Sequence, residues 1–417
     1  MKQVVQVRLQ ANAAQLDVLT RTLSACNATA NLVSTLAHSN HVYRSRDLRA
    51  ISYAQARQHA GLGAQVAQSC IRKVADAYTT LRANLRNGRY GTPASARRVK
   101  LEAKPIRFGS LAAQPFDDRC LSWIHDTDSD TGGSVSIWTV NGRLKDLRFT
   151  GDPDQIALLR AHRRGETDLV IRRRRRGGGF FAYLIATIEL PDPPVRTGEH
   201  LQTTHGWIGV DLGVENIAVT SDRALARELM TSYGSDAAEG AAGRGSVKNR
   251  RTGNRELRQK LQKKNTKSAK RLLRKRARTE ARFAGDVNHQ IANRIVAEAE
   301  RTGRGIAVEE LTGIRERVRL RKPQRATHAS WAFAQLGAFL TYKAARAGVP
   351  FVQVDPGYTS QRCTHCGYID RRNRTSQAQF VCRDCGFTAE HADILAADNI
   401  ALRAPTTWAQ STVPSAA

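Results

Sequence analysis

From Val5 to Gln10 apolar and polar residues alternate strictly, which predicts a strand with one buried face. From Asn12 to about Arg86 the period changes. Ala, Leu, Gln and Arg recur at helical spacing there, with turn signals near His41 and from Gly61 to Gly63. Beyond Lys104 come short strand-like runs at Val135 to Val140, Lys145 to Thr150, Asp168 to Arg176 and Phe180 to Leu190, separated by Gly, Asp and Asn. These runs predict an antiparallel sheet or small barrel that takes in the first strand, with the helical segment inserted into it.

Pro191-Asp192-Pro193-Pro194 is a linker signal. An α/β pattern begins at Trp207 with a strand and a hairpin partner that runs to Ser221. A Gly- and Ser-containing stretch follows, then a basic helical region from about Asn254 to Arg301. A strand at Gly305 to Leu311, a helix around Ser330 to Arg346 and a strand at Pro350 to Val354 come next. The last helix is expected over about His391 to Arg403, and the remaining tail is expected to be disordered. No internal repeat is present.

The chain has 417 residues, 41% of them hydrophobic, enough for more than one ordinary core. Charge narrows the class of partner. Lys and Arg total 66 against 37 Asp and Glu, a net +29 spread along the sequence, and such a surface suits a polyanion such as nucleic acid. The longest apolar run, Phe180 to Leu190, is too short for a bilayer and the N-terminus lacks the apolar core of a secretion signal, so a cytosolic protein is expected.

Of seven cysteines, Cys26, Cys70 and Cys120 stand apart and read as small buried hydrophobes. The other four form two CxxC pairs, Cys363 with Cys366 and Cys382 with Cys385, each followed by Gly. Four thiolates at zinc-ribbon spacing predict a closed, structural Zn²⁺ site, and a thioredoxin-like redox pair is the weaker reading. His365 lies between the first pair and reads as a bystander.

Carboxylates supply the second signal. Asp211 sits between glycines in GWIGVDLGVENIAV, a place where an unpaired charge is costly. Glu309 and Glu310 end another strand, and Asp393 opens a helix beyond the cysteines. Singly, each reads as a cap or an ion pair. Together, oxygen ligands from two strands and a helix suit Mg²⁺ or Mn²⁺ and metal-assisted phosphodiester hydrolysis. Strand alternation alone does not choose between Glu309 and Glu310.

The order GVDLG, AVEEL, VDPGYTSQRC, CTHCG, FVCRDCG and HADILAADNI resembles the TnpB family, transposon-encoded RNA-guided DNA endonucleases related to the type V CRISPR effectors. The resemblance covers about the last half of the chain. It implies an α+β multidomain fold in which an RNase H-like (RuvC) nuclease domain carries an inserted zinc ribbon, preceded by a wedge β-barrel with a helical recognition insertion. The implied boundaries are 1–11 and 105–196 for the barrel, 12–104 for the insertion, 197–358 and 389–404 for the nuclease, 359–388 for the ribbon and 405–417 for the disordered tail.

By the same resemblance Asp211, Glu309 and Asp393 are the catalytic acids and magnesium ligands. The third motif departs from the commoner family form, because Leu395 stands where Asn is usual; Glu390, one helical turn before Asp393, is the substitute candidate, and Asp398 lies on another face. The implied partners are a guide RNA and double-stranded target DNA, and the implied place is the cytoplasm, on the nucleoid when bound to target. Lys260, Lys263, Lys264, Lys267, Lys270 and Arg271 read as a phosphate-gripping surface, and Arg172, Arg173 and Arg174 as a basic hairpin against RNA. Gln65, Gln68, Ser69, Arg72 and Lys73 share helical spacing suited to reading a short target-adjacent motif, or form a plain exposed face. Asn288 and His289 read as structural. A guided DNA-binding regulator without cleavage, and an RNA-independent resolvase or transposase, are the alternative functions.

Overall fold

The structure is a computed structural model and describes residues 2–126, 132–173, 179–213, 215–234, 247–310, 333–376 and 378–412. The chain divides into two compact units, Met1–Pro191 and Asp192–Ala417.

The first unit runs β1 (Lys2–Leu9), α1 (Ala13–Ser39), α2 (Ser45–His59), α3 (Ala64–Arg86), α4 (Ala96–Glu102), β2 (Gln114–Phe116), β3 (Leu121–His125), β4 (Gly132–Thr139), β5 (Gly142–Thr150), α5 (Pro153–Ala161), β6 (Arg164–Arg173) and β7 (Phe180–Glu189). The seven strands form one antiparallel ladder in the order β2-β6-β7-β1-β5-β4-β3, open between β2 and β3. Alternation sets its faces: Val5, Val7 and Leu9 of β1 and Leu184, Ala186 and Ile188 of β7 are buried in one core with Leu19, Leu23 and Cys26 of α1 and Val66, Cys70 and Val74 of α3. A capping box starts α1, in which the Asn12 side chain accepts from the Gln15 amide at 2.9 Å and the Gln15 side chain accepts from the Asn12 amide at 3.0 Å. Along α1, Asn27, Asn31 and Ser34 donate to the backbone carbonyls of Ser110, Ala112, Phe108 and Ile106, tying down the return from the helices to the sheet.

The second unit runs β8 (Trp207–Asp211), β9 (Val219–Thr220), α6 (Arg223–Tyr233), α7 (Val247–Lys264), α8 (Lys267–Thr302), β10 (Gly305–Glu309), α9 (Phe333–Ala347), β11 (Phe351–Val354), β12 (Phe380–Val381), β13 (Thr388–Ala389) and α10 (Ala392–Thr412). A four-stranded sheet has the order β11-β10-β8-β9; β10 is parallel to both neighbours and β9 is an antiparallel edge. Helices cover both faces, as a parallel sheet requires. Ile208, Val210, Ile306 and Val308 point into a core with Ile291 and Ile295 of α8 and Leu336 and Leu340 of α9. The alternate positions, Trp207, Ala307, Val352 and Val354, meet Ile400, Ala401 and Ala404 of α10.

The helix α10 approaches β8 closely because Gly209 has no side chain. A Cβ there would stand 2.0 Å from the carbonyl oxygen of Ala397 and 2.7 Å from the amide of Ala401. The tail corrects one expectation: helix continues through Pro405 to Thr412, with Ala404 buried and Trp408 packed on the same core. Burial of Ala404 holds the segment that its Pro, Thr and Ser content marked as disordered. Arg174, Trp331 and residues 413–417 lie outside the described residues.

Candidate active site and metal centre

The period of two along each strand settles where the acids lie. Asp211 follows Trp207 and Gly209 on the α10 face of β8, and Glu309 follows Ala307 on the same face of β10. The register pairs Val308 with Val210, so the two acids end neighbouring strands side by side. Asp393 stands in the first turn of α10, the helix that crosses that face, and is 2% exposed. Glu310 is exposed, and its amide continues the ladder to the Val354 carbonyl at 2.9 Å. Strand pleat therefore separates two acids that the sequence pattern alone left equivalent.

Four neighbours hold these carboxylates. Asn216 donates from Nδ2 to Asp393 at 3.0 Å, and the Arg374 guanidinium pairs with the other oxygen of Asp393. The Thr359 hydroxyl donates to Glu309, and Asn399, itself 1% exposed, donates to the carbonyls of Thr359 and Arg362 at 2.8 Å each. None of the four was singled out by the residue-type argument, although Asn216 and Asn399 stand inside the quoted GVEN and ADNI stretches. A polar residue amid apolar neighbours was the available signal.

Electrostatics shows what the site lacks. Burial pushes the Asp211 carboxyl well above the usual carboxylate range, and the charges of Glu309 and Asp393 push it further in the same direction. Burial also raises Glu309, against the lowering effects of Thr359 and Arg403. Like charges crowded in partial burial call for a cation, and Arg374 supplies one for Asp393. A hard divalent ion would answer the same need with oxygen donors; among the described residues only the four cysteines already stand close enough together to hold a metal.

These shifts fix a sign. Because the acids hold protons more tightly in the folded state, that state binds more protons than the unfolded chain from about pH 4 upward, and folding stability must fall as pH rises through the raised values. In magnesium-free buffer the wild type is expected to lose stability relative to Asp211→Asn as pH rises from about 4 toward neutrality, and added Mg²⁺ should restore it most at the higher pH. Urea titrations at several pH values read this; a pH-independent difference between the two proteins would refute the buried-acid account.

The substitute acids are engaged elsewhere. Glu390 is exposed, pairs with Arg227 at 2.8 Å and is held below the usual range by that guanidinium, while Asp398 pairs with Arg223 at 2.8 Å. Leu395, the departure from the commoner motif, is buried in the ribbon's small core with Phe380, Cys382 and Ala392. The apolar residue joins the ribbon to α10.

In that ribbon the four cysteine sulfurs all lie within 4.8 Å of one another, with Cys363 and Cys385 at 3.8 Å and Cys366 and Cys382 at 3.6 Å. Sulfurs about 2.3 Å from a tetrahedral zinc stand about 3.8 Å apart, and disulfide sulfurs only about 2.05 Å, so the donor set fits zinc. Gly367 and Gly386 have φ of 80° and 73°, the left-handed conformation that closes each knuckle. His365 is exposed and stacks on Phe387.

The nucleic-acid candidates divide. Lys260, Lys263, Lys264, Lys267, Lys270 and Arg271 are all exposed around the α7–α8 hairpin, which Arg258 and Arg276 brace through Glu280. Arg172 and Arg173 are exposed at the end of β6. On α3, Ser69 is 1% exposed, so it is corrected to a packing residue. Gln65 bonds Asp117, Arg72 pairs with Glu166, and Lys73 donates to Asn27 at 2.7 Å, its ammonium lowered by burial. Inward polar partners in the sheet claim this face, and helical spacing cannot reveal them. Gln68 remains partly exposed. Asn288 is buried against Gln335, whereas His289 is exposed and stacks on Phe339.

Residues 333–400, from α9 through the ribbon into α10, match the Cas12f1-like TNB domain. Over 123 residues the chain is 43% identical to a CRISPR-associated endodeoxyribonuclease Cas12f1 of Sulfoacidibacillus thermotolerans, covering 29% of this chain and 28% of that protein. A TnpB-like protein of Methanocaldococcus jannaschii is 31% identical over 147 residues, 34% of this chain and 52% of that protein. Over these segments the chain is similar to both Cas12f1 and TnpB-like proteins. The aligned parts span about a quarter of the Cas12f1 relative and about half of the TnpB-like one. In fold, the chain is similar to a Cas12f1 chain solved by cryo-EM with sgRNA and target DNA, at a TM-score of 0.58 and 12% identity over 96% of this chain and 98% of that one. No described helix is long and apolar enough to cross a membrane.

Proposed function

We propose that this chain is an RNA-guided DNA endonuclease whose second unit is an RNase H-like, RuvC-type nuclease. The observation that carries the reading is the placing of Asp211, Glu309 and Asp393 on one face of a parallel sheet and the helix crossing it. Magnesium or manganese, when bound there, would supply the Lewis acidity that lowers the barrier to phosphodiester hydrolysis. The chain's own part would be to present the three carboxylates as ligands and to orient Glu309 through Thr359 and Asp393 through Asn216 and Arg374.

The exposed lysines of the α7–α8 hairpin, with Arg172 and Arg173, would take phosphates of the guide RNA and of the target DNA, and Gln68 on α3 remains a candidate reader of a target-adjacent motif. Sequence choice would then lie mainly in the guide. The test is to sequence the RNA that copurifies with the protein expressed with its native flanking DNA, then to programme Mg²⁺-dependent plasmid cleavage with it. A discrete RNA whose 3′ end redirects the cut supports the reading; heterogeneous RNA that never moves the cut site would leave an unguided nuclease.

Zinc in the ribbon would be structural, since four thiolates close its coordination. Cys382→Ser is expected to lower the melting temperature by on the order of 10 °C and to raise amide exchange across residues 363–400, because Cys382 shares a core with Ala392 and Leu395. Unchanged exchange in α10 would separate the ribbon from the acid it is taken to support.

A further inference from the structure

The outward face of β6, β7 and β1 carries a ladder of rings and guanidinium groups from which the nuclease reading uses only Arg172. Phe181 and Tyr183 alternate with the buried residues of β7, and the register sets Arg172 of β6 opposite Phe181 and Arg8 of β1 opposite Tyr183. The pairs cross diagonally. The Arg8 guanidinium lies 4.1 Å over the Phe181 ring, the Arg172 guanidinium 5.6 Å from the centre of the Tyr183 ring, and the two rings stand 6.4 Å apart. Beside the ladder, where β1 turns into α1, a cavity of about 450 Å³ is lined by Arg8, Gln10, Leu16, Thr150, Phe180 and Phe181. Phe180 is 37% exposed.

We infer that this face and its cavity bind unpaired nucleobases of a single-stranded nucleic acid. Aromatic rings offer π-faces that any base can stack on, and the guanidinium planes add stacking and pair with the phosphates between bases. The cavity falls in the size range of small-ligand sites, and its Gln10 and Thr150 side chains give hydrogen-bonding groups at a base edge. Charge chooses the occupant. Arg8 and Arg172 stand on this face in a chain of net +29, which suits a polyanion with flat apolar bases better than a neutral or basic peptide.

The inference rests on the nucleic-acid reading above, and its test separates the two. Binding of the full chain to short oligo(U), oligo(dT) and an abasic oligomer of equal charge is measured by fluorescence anisotropy at fixed salt. Wild type is expected to bind at least one base-bearing oligomer about tenfold or more tightly than the abasic one, and Phe181→Leu to abolish most of that ratio without changing abasic affinity. Whichever of oligo(U) and oligo(dT) shows the ratio identifies RNA or DNA as the source. Equal wild-type affinity for all three overturns the inference and leaves charge-driven binding standing; no binding to any overturns both. Photocross-linking of 5-iodouridine RNA to the wild type gives a readout independent of the variant's folding. Adducts on Phe180, Phe181 or Tyr183 support the site, and adducts confined to other peptides overturn it.

Discussion

Asp211→Ala is expected to lower guided cleavage on the order of a thousandfold or more while changing target binding by no more than about threefold. The asymmetry follows from position. Asp211 ends β8 beside Glu309 and near Asp393, and its removal takes a carboxylate from the proposed metal site without touching the exposed lysines of the α7–α8 hairpin or the arginines of β6. The fold should tolerate the change, because burial and two like charges oppose the ionised form of this carboxyl. Single-turnover cleavage in Mg²⁺ and a binding titration on the same guided complex separate the two quantities. Cleavage at the wild-type rate would move the metal site elsewhere, and equal loss of binding and cleavage would make Asp211 a structural acid.

Gly209→Ala should be the more damaging change to the protein as a whole. One added methyl would meet a backbone carbonyl at 2.0 Å and a backbone amide at 2.7 Å, and backbone cannot rotate away as a side chain can. Either α10 lifts from β8 or the strand bends, at a cost of about 3 kcal/mol. Asp393 rides on that helix, so a shift of about 1 Å is expected to cut activity about a hundredfold in the folded fraction. Gly337→Ala is the control: it lies in α9 with nothing within 4 Å of the added atom, and should be neutral or stabilising by about 1 kcal/mol. Thermal unfolding and cleavage of both variants test the contrast. A Gly209→Ala protein with wild-type stability and rate would show that α10 does not need the close approach.

How far the sequence could be read depended on how local each determinant was. The strands β1, β7, β8 and β10 and the cysteine ribbon announce themselves through alternation and spacing within ten or twenty residues. The choice of Glu309 over Glu310 needed the pleat of β10 against β8, which no run of one strand contains. The partners of the acids were hidden for a different reason. Thr359 and Arg374 reach Glu309 and Asp393 from loops whose course depends on the ribbon and on α10, and Asn399, on α10 itself, holds the Thr359 carbonyl. The α3 face failed in the opposite direction, since Ser69 and Lys73 have the spacing of an exposed reading face, yet Ser69 is buried and Lys73 is drawn inward by Asn27 and Gln114. The helical tail beyond Pro405 likewise depends on the buried Ala404 and on Trp408, whose ring packs at a tilt against Trp207 about two hundred residues earlier in the chain.

The acids also enter the growing chain at separate times. A ribosome adding 5–20 residues per second, as ribosomes typically do, makes β8 first, β10 later, and the helix bearing Asp393 only after the ribbon, roughly ten to forty seconds after Asp211. Until that helix docks on Gly209, the nascent protein has the two strand acids with no third ligand and an open sheet face. Any bond-breaking proposed for this site therefore waits until the ribbon and α10 have both been made, and a chain whose synthesis stalls in the ribbon carries the basic α7–α8 hairpin without the third acid.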